Sequence, residues 1–460
     1  MLDIINPATE DVLESLDPAT EDDADRAIAR AREAFPAWRD VEPADRSRLL
    51  RRLADALDAE QEKLAQLESR NTGKPIGDSR GEMGMVAETF YYYAGMPERL
   101  LGDTIPVSGG VNVTFREPLG VVGLIVPWNF PLTIASWKMA PALAAGNTFV
   151  LKPAELTPLT AIEFERIVRE AGIPDGVVNV LVGPGSKVGK RLVEHPDVAK
   201  VAFTGSTEVG RGIMAGAAGT IKRVTLELGG KSANIVLADA DMDAALRGAI
   251  SSTFRNQGEI CTAGARLVVE RPAAGPLVER LTEHVAAIKL GRGLDPATEM
   301  GPLISERHRR RVLALFDSAR NEGAVAAVGG GAATVADYPD GHFVEPTIFT
   351  GTHNAMRINR EEIFGPAVAV IEVDSAEQAV EVANDTPFGL AAGVFTRDGA
   401  RAHRIARALR AGTVWINMYG GLDPYSTFSG RGLSGRGYEL GPESIGEYTA
   451  VKTIKTAVGV

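Results

Sequence analysis

From residue 121 onward the chain alternates short apolar runs with stretches of helical length. This alternation restricts the fold more than any other feature. VVGLIV (121–126), TFVLK (148–152), VVNVLV (177–182) and VAKVAF (198–203) are each of strand length. They do not alternate apolar with polar, so both faces of each strand are set for burial. Helical stretches at about 133–145, 157–171 and 185–194 separate them. Such strands joined by helices make a parallel sheet covered on both faces. VTLELGG (224–230) and SANIVLADADMD (232–243) lead into a second set of strands. That set is RLVVE (266–270), AVAVIEV (367–373), GLAAGVFT (389–396) and GTVWIN (412–417), with helices expected at 275–289, 306–322, 376–384 and 399–410. The fold class predicted is α/β.

The first hundred residues read as helical. Thr20 and Asp23 have capping-box spacing, with Asp in place of Glu or Gln. Ala24, Ala27, Ile28, Ala31 and Phe35 follow as one stripe, which Pro36 is expected to end. A second stripe runs from Ser47 through Leu50, Leu53, Leu57 and Leu64 towards Gly73, and a third lies near 80–95. TIPVSGGVNVTFREPLG (104–120) reads as a β-hairpin about Gly109-Gly110. VGGGAAT (328–334) reads as a surface loop.

Composition narrows the function by exclusion. A chain of 460 residues has core enough for roughly two to four domains. Its 49 Lys and Arg against 60 Asp and Glu give a net charge of -11, which argues against a nucleic-acid or anionic-membrane binder. One Cys can form neither an intrachain disulfide nor a zinc site of several cysteines. No apolar run approaches the roughly 20 residues of a membrane span. The N-terminal MLDIINPATE lacks a basic start before an apolar stretch, so no signal peptide is read and a cytoplasmic location is expected.

Six segments carry chemistry-bearing residues, and each has a plain structural reading beside a chemical one. Cys261 lies in FRNQGEICTAG (254–264), where Gly, Asn and small residues crowd both sides. It is either a small core filler or a thiolate nucleophile with backbone N–H groups near it. VPWNFPL (126–132) follows a strand, and Asn129 is either a turn residue or an amide donor to a developing oxyanion. FTGSTEVG (203–210) is either an ordinary Gly-rich turn or a helix N-terminus facing a phosphate. In LKPAELTP (151–158), Lys152 and Glu155 are solvated charges or partners of one ribose. Glu227 in LELGGKS (226–232) is a charge paired at a strand end or a desolvated general base. EEIFGP (361–366), with Glu362 and Phe364, is otherwise a helix-to-strand connection.

Taken together and in this order, PWNFP, KPAE, FTGSTEVG, LELGGKS, GEIC and EEIFGP resemble the aldehyde dehydrogenase superfamily, specifically its hydrolytic NAD(P)-dependent members. The likeness runs from NPAT (6–9) to within about a dozen residues of position 460. It implies a Rossmann-like cofactor domain (1–100 and 119–228), an α/β catalytic domain (229–427) and a small β oligomerisation element (101–118 and 428–460). It implies Cys261 as nucleophile, Asn129 and a backbone N–H as the oxyanion hole, and Glu227 as the base that activates water. For the cofactor it implies Lys152 and Glu155 on the adenosine ribose and Gly205 and Ser206 at the pyrophosphate. Trp128 would line the cleft, and Glu362 with Phe364 would hold the nicotinamide ribose. Glu155 favours NAD, although the family contains members that also take NADP. Phe130, Trp137, Ile260, Thr262 and Phe428 match the aldehyde tunnel. Tyr419, Pro424 and Tyr425 fall in the substrate-side loop. This lining suggests an apolar or aromatic aldehyde, and no Arg flanks Cys261 to hold a distal carboxylate. Lys138 and Glu439 match a proton path. A homodimer or homotetramer is implied.

Two departures from the family pattern stand out. Glu259 replaces the Gln that usually lies two residues before the nucleophile; its carboxyl either stands near the thiol, where a charge would slow attack, or points away. TFSGRGLSGRGYELG (427–441) has Gly432 and Tyr438 where the family carries Lys and Arg. The alternatives within and outside enzymes are a CoA-acylating relative, against which Glu227 speaks, and a non-catalytic binding or structural homologue. Cys261, Asn129 and Glu227 together speak against the latter.

Overall fold

The computed structural model describes residues 1–458. Positions 459–460, inside the expected C-terminal element, lie outside that range. The N-terminal part holds the hairpin β1 (Leu2–Ile5) and β2 (Val12–Leu16), then α1 (Glu21–Arg39), α2 (Pro43–Ala59), α3 (Gln61–Thr72) and α4 (Ile76–Ala94). It is followed by β3 (Thr104–Ile105) and β4 (Gly110–Pro118). The first sheet is then built from β5 (Val121–Ile125), α5 (Pro131–Ala144), β6 (Thr148–Lys152), α6 (Leu159–Glu170), β7 (Val178–Val180), α7 (Lys190–Glu194), β8 (Val198–Thr204), α8 (Thr207–Ala217) and β9 (Arg223–Glu227). The second unit runs through β10 (Ala233–Val236), α9 (Met242–Thr253), β11 (Arg266–Glu270), α10 (Arg271–Ala286), α11 (Glu306–Asn321), β12 (Val325–Val328), β13 (Thr347–Thr350) and α12 (Arg357–Arg360). It ends with β14 (Ala367–Val373), α13 (Ala376–Asn384), β15 (Ala391–Phe395), α14 (Gly399–Ala408) and β16 (Thr413–Ile416). β17 (Gly435–Arg436) and β18 (Thr449–Ala457) follow.

The first sheet has the order β17-β9-β8-β5-β6-β7, parallel except for β17. The chain leaves the central β5 towards β6 and β7 on one side, then crosses back to β8 and β9 on the other. The direction of winding therefore reverses at the carboxyl end of β5, which is where open α/β sheets bind ligands. Between β5 and β6 lies α5, all of whose residues are buried. A helix apolar all round belongs to a core, and α5 fixes whatever it carries. The second sheet has the order β12-β13-β14-β11-β10-β15-β16, with only β12 antiparallel. The α/β expectation with two strand sets is borne out.

Local departures have identifiable causes. Pro36 does not end α1, which continues to Arg39. Pro36 sits on the exposed side, while Trp38 two residues on is buried and anchors the helix. The Arg46 guanidinium takes the carbonyls of Trp38, Arg39 and Val41 at 3.2, 2.7 and 3.0 Å, which caps that end. The stripe from Ser47 to Gly73 is two helices, because Glu60 leaves the helical region at φ −98° and ψ 6°. The stretch 185–194 is a five-residue π-helical turn followed by a short α-helix. β12 and β13 were not foreseen, since β12 is short and largely exposed and carries no apolar alternation. The hairpin exists, but β3 is only two residues long, and β4 pairs along its whole length with β18.

No helix among the described residues is long and apolar enough to cross a membrane.

Candidate active site

The carboxyl ends of the parallel strands bring the singled-out segments together. β5 runs into the Trp128-Asn129 turn that opens α5, β6 ends at Lys152, β8 at Thr204 and β9 at Glu227. Gly205 donates its N–H to the carbonyl of Glu227 at 3.0 Å, so the Gly-rich turn and the carboxylate residue are fastened to each other. β17 pairs Gly435 with Glu227 from the opposite side.

Cys261 is half-buried at the end of a loop between α9 and β11. The loop passes through three left-handed residues, Asn256, Gln257 and Gly258. A Cβ on Gly258 would lie 2.1 Å from the carbonyl oxygen of Gly365, so that close approach requires glycine. Burial pushes the Cys261 thiol up to about 12, and the carboxylates of Glu362 and Glu227 push the same way. The backbone N–H groups of Cys261 and Thr262 act on the sulfur in the opposite sense. Glu227 is 4% exposed, and among the described residues neither carboxylate oxygen has a well-formed hydrogen bond. Its pKa stands well above the ordinary carboxylate value because it is buried; Glu439 raises it further and Lys138 lowers it.

Asn129 donates one N–H of its side-chain amide to the carbonyl of Glu259 at 2.9 Å. The other N–H has no partner among the described residues. Glu259 takes the second of its two alternatives and turns away from the thiol. It is buried, accepts from the N–H of Ile304 at 3.0 Å and lies 3.7 Å from His308. Burial holds its pKa well above the ordinary value.

A cavity of about 230 Å³ ends at Cys261. Phe130, Trp137, Ile260 and Thr262 line it, with Tyr419. Phe428 does not reach it; it packs edge-on behind Trp137, with ring centroids 5.8 Å apart. Pro424 is buried away from the cavity, and Tyr425 is exposed, bonded to Glu88 and set edge-on to Tyr92 at 5.3 Å. The sequence reading missed Glu82, Met85, Ile134, Arg255, Trp415 and Leu422. Arg255 is the Arg not foreseen at this end, and Asp78 pairs with it at 3.1 Å. Glu82 is neutralised by Lys74, whose Nζ reaches both carboxylate oxygens at 2.8 and 2.7 Å.

On the other side of Cys261, Glu362 accepts from the N–H of Gly230 at 3.0 Å. Burial raises its pKa to about 7. Trp128 stands edge-on to Phe364 at 5.2 Å and to His308 at 5.3 Å. Burial brings His308 down to about 4, so the ring is neutral and donates Nε2–H to the carbonyl of Phe364 at 2.6 Å. Phe364 itself is left-handed, at φ +56°. His308 was not foreseen, because it is contributed by α11, far along the chain.

The carboxyl ends of β5, β6 and β8 lie where an open α/β sheet takes its ligand. Thr204 Oγ1 is buried without a partner beside Gly205, and Ser206 caps α8 by accepting from the N–H of Val209 at 3.4 Å. A Cβ on Gly205 would meet the Phe203 ring at 2.4 Å, so the packing of that ring requires glycine there. Lys152 is buried, and burial lowers its pKa. Glu155 is half-buried and receives the N–H of Gly185 at 3.0 Å. Lys138 and Glu439 form a buried pair at 2.5 Å on the far side of Glu227. Among the described residues no group of three or more His, Cys, Asp or Glu is placed to hold a metal.

Residues 1–454 match the model of the aldehyde dehydrogenase family. The betaine aldehyde dehydrogenase of Bacillus subtilis (strain 168) is 42% identical over 455 residues, covering 98% of this chain and 93% of its own. The aldehyde dehydrogenase of Bacillus cereus, solved as an NAD+ complex, is 44% identical with a TM-score of 0.97, covering 99% and 93%. PnpE from Pseudomonas sp. WBC-3 is 45% identical with a TM-score of 0.98, covering 100% and 94%.

Proposed function

The chain belongs to the aldehyde dehydrogenase family, and from this we propose its reaction: NAD-dependent oxidation of an aldehyde to a carboxylic acid through a thioester on Cys261. The observation that carries the reading is a half-buried thiol lining an apolar cavity, with the carboxylates of Glu227 and Glu362 near enough to raise its pKa. NAD is the proposed hydride acceptor because the solved Bacillus cereus relative holds NAD+ and the winding of the first sheet reverses at the carboxyl end of β5. Lys152 and Glu155 would hold its adenosine ribose, Gly205 and Ser206 its pyrophosphate, and Glu362, Phe364 and Trp128 its nicotinamide half.

The residues divide the work as follows. The Cys261 thiol gives its proton to solvent water, and the thiolate sulfur bonds to the aldehyde carbon as the carbonyl π bond opens onto its oxygen. The oxygen that becomes negative is received by the free N–H of Asn129 and a backbone N–H at Cys261. Bound NAD supplies one thing, acceptance of the hydride that leaves that carbon. Glu227 then takes a proton from water, whose oxygen attacks the thioester carbonyl and releases the acid and the thiol. The pair Lys138–Glu439 carries that proton away from Glu227, which fits the influence both have on its pKa.

The aromatic and aliphatic lining favours an aldehyde with an apolar or aromatic body. We divide the chain into a cofactor domain (1–100 and 119–228), a catalytic domain (229–427) and an oligomerisation element (101–118 with 428–460). The sheet of β3, β4 and β18 presents Ile105, Val111, Phe115, Val451 and Ile454 to solvent. Exposed apolar residues in that number fit a homodimer or homotetramer built on this sheet.

The test is NADH formation from a panel of straight-chain, aromatic, amino and acidic aldehydes, with and without CoA. Acid release without CoA is expected, fastest for apolar and aromatic members. No NADH from any member, or turnover only with CoA, overturns the reading. A second measurement addresses the cofactor. Glu155→Gln removes the charge that repels a 2′-phosphate, and because the site is half exposed the effect should be about tenfold on the NADP-to-NAD ratio of kcat/KM. An unchanged ratio assigns ribose discrimination to another residue.

A further inference from the structure

The nucleophile loop contains a side chain that the reaction above does not use. Asn256 is 2% exposed, and its backbone is left-handed at φ 46° and ψ 43°. Gln257 continues at φ 55°. Residues other than glycine seldom take this conformation unless the surroundings hold them there. The Asn256 amide supplies that hold. Its Nδ2 donates to the carbonyl of Asn129 at 3.1 Å and to the carbonyl of Glu259 at 3.2 Å. The Asn129 amide donates to the same Glu259 carbonyl at 2.9 Å. The three residues thus close a ring in which one carboxamide ties the nucleophile loop to the turn that carries the other. Lys74 Nζ adds a second hydrogen bond to the Asn129 carbonyl, at 2.8 Å. Flipping the Asn256 amide would aim its oxygen at two carbonyl oxygens, so the surroundings accept only the donor orientation.

We propose that Asn256 is a positioning residue for the oxyanion donor: it sets the Asn129 carboxamide so that its remaining N–H faces the oxygen of the aldehyde bonded to Cys261. The inference rests on the reading of Asn129 as that donor. Asn256 acts wholly through Asn129 and touches neither substrate nor sulfur. A small displacement of a preorganised donor is costly, because its value lies in being aimed before charge develops.

Asn256→Gly tests this. Glycine suits the left-handed backbone, so a purely conformational role for Asn256 predicts an unharmed enzyme. Positioning predicts instead that kcat falls about 10- to 100-fold, with KM for the aldehyde within about threefold and NAD affinity unchanged. Alkylation of Cys261 by iodoacetamide develops no oxyanion and should keep its rate. In the pair Asn129→Ala/Asn256→Gly, turnover should be no slower than in Asn129→Ala alone. Unchanged kcat in Asn256→Gly overturns the inference. So does a parallel loss of alkylation rate, which would mean that the nucleophile itself had moved, and so does a double variant slowed by the product of the two effects. If Asn129→Ala alone turns over normally, the underlying reading of the oxyanion hole fails and the inference falls with it. Should the glycine variant not fold, Asn256→Ser is judged by the same readings.

Discussion

Glu227→Gln is expected to release one equivalent of NADH per site in a burst and then nearly stop. The substitution keeps the shape of the side chain and leaves the thiol, the amide of Asn129 and the cofactor groove untouched. Attack on the aldehyde and hydride departure do not need the carboxylate; activation of water does. A positioned general base contributes about 10²- to 10⁴-fold, and the steady-state rate should fall by that order while the burst keeps its amplitude. The pH dependence carries the same signature. Burial raises the pKa of Glu227, and its acting form is the carboxylate. Hydrolysis of the thioester in the native enzyme should therefore strengthen as pH rises through that pKa and weaken as pH falls below it. The Gln variant should lack this limb. Stopped-flow NADH absorbance across pH 6–9 reads both quantities; an unaltered steady state would remove Glu227 from its role.

Cys261→Ala should lower turnover by at least about 10⁴-fold, the order seen when a covalent nucleophile is deleted. No burst is expected, since hydride leaves only from a carbon already bonded to sulfur. Cys261 is half-buried, so the loss of one sulfur atom from the cavity should alter stability little. NAD binding should persist, because no proposed cofactor contact uses this residue. Quenching of Trp128 fluorescence by NAD is a direct check, as its ring lies in the cleft beside Phe364. Substantial turnover in this variant would leave the scheme without its covalent step.

The parallel sheets were legible because their strands are buried on both faces and leave an uninterrupted apolar trace. The short β12, half in solvent, leaves none. α1 continued past Pro36 because a guanidinium from another helix, Arg46, caps it, and no local pattern encodes that contact. Cys261, Asn129 and Glu227 stand in short motifs of unusual composition and could be singled out one by one. Their meeting depends on strand order, which local sequence does not state. Glu82 and Trp415 reach the cavity from α4 and β16, whose own sequences are ordinary, and Arg255 reaches it from the Cys261 segment itself, six residues before the thiol. His308 presents only a helix residue to the reader, yet it supports Phe364 and Trp128 across the cleft. Glu259 shows the converse. Its motif position allowed a charge at the sulfur, and the loop turns it towards Ile304 instead.

The pairing of Gly435 with Glu227, and of Glu439 with Lys138, bears on the order in which competence is acquired during synthesis. A nascent polypeptide that has emerged only past Cys261 still lacks Ile304, Gly365 and most of the second sheet, against which the nucleophile loop is set. Its carboxylate strand still lacks one flank, and its buried ammonium still lacks a counter-ion. Ribosome-bound intermediates therefore lack both the seated loop and the completed base, and competence arrives only with the final stretch of translation.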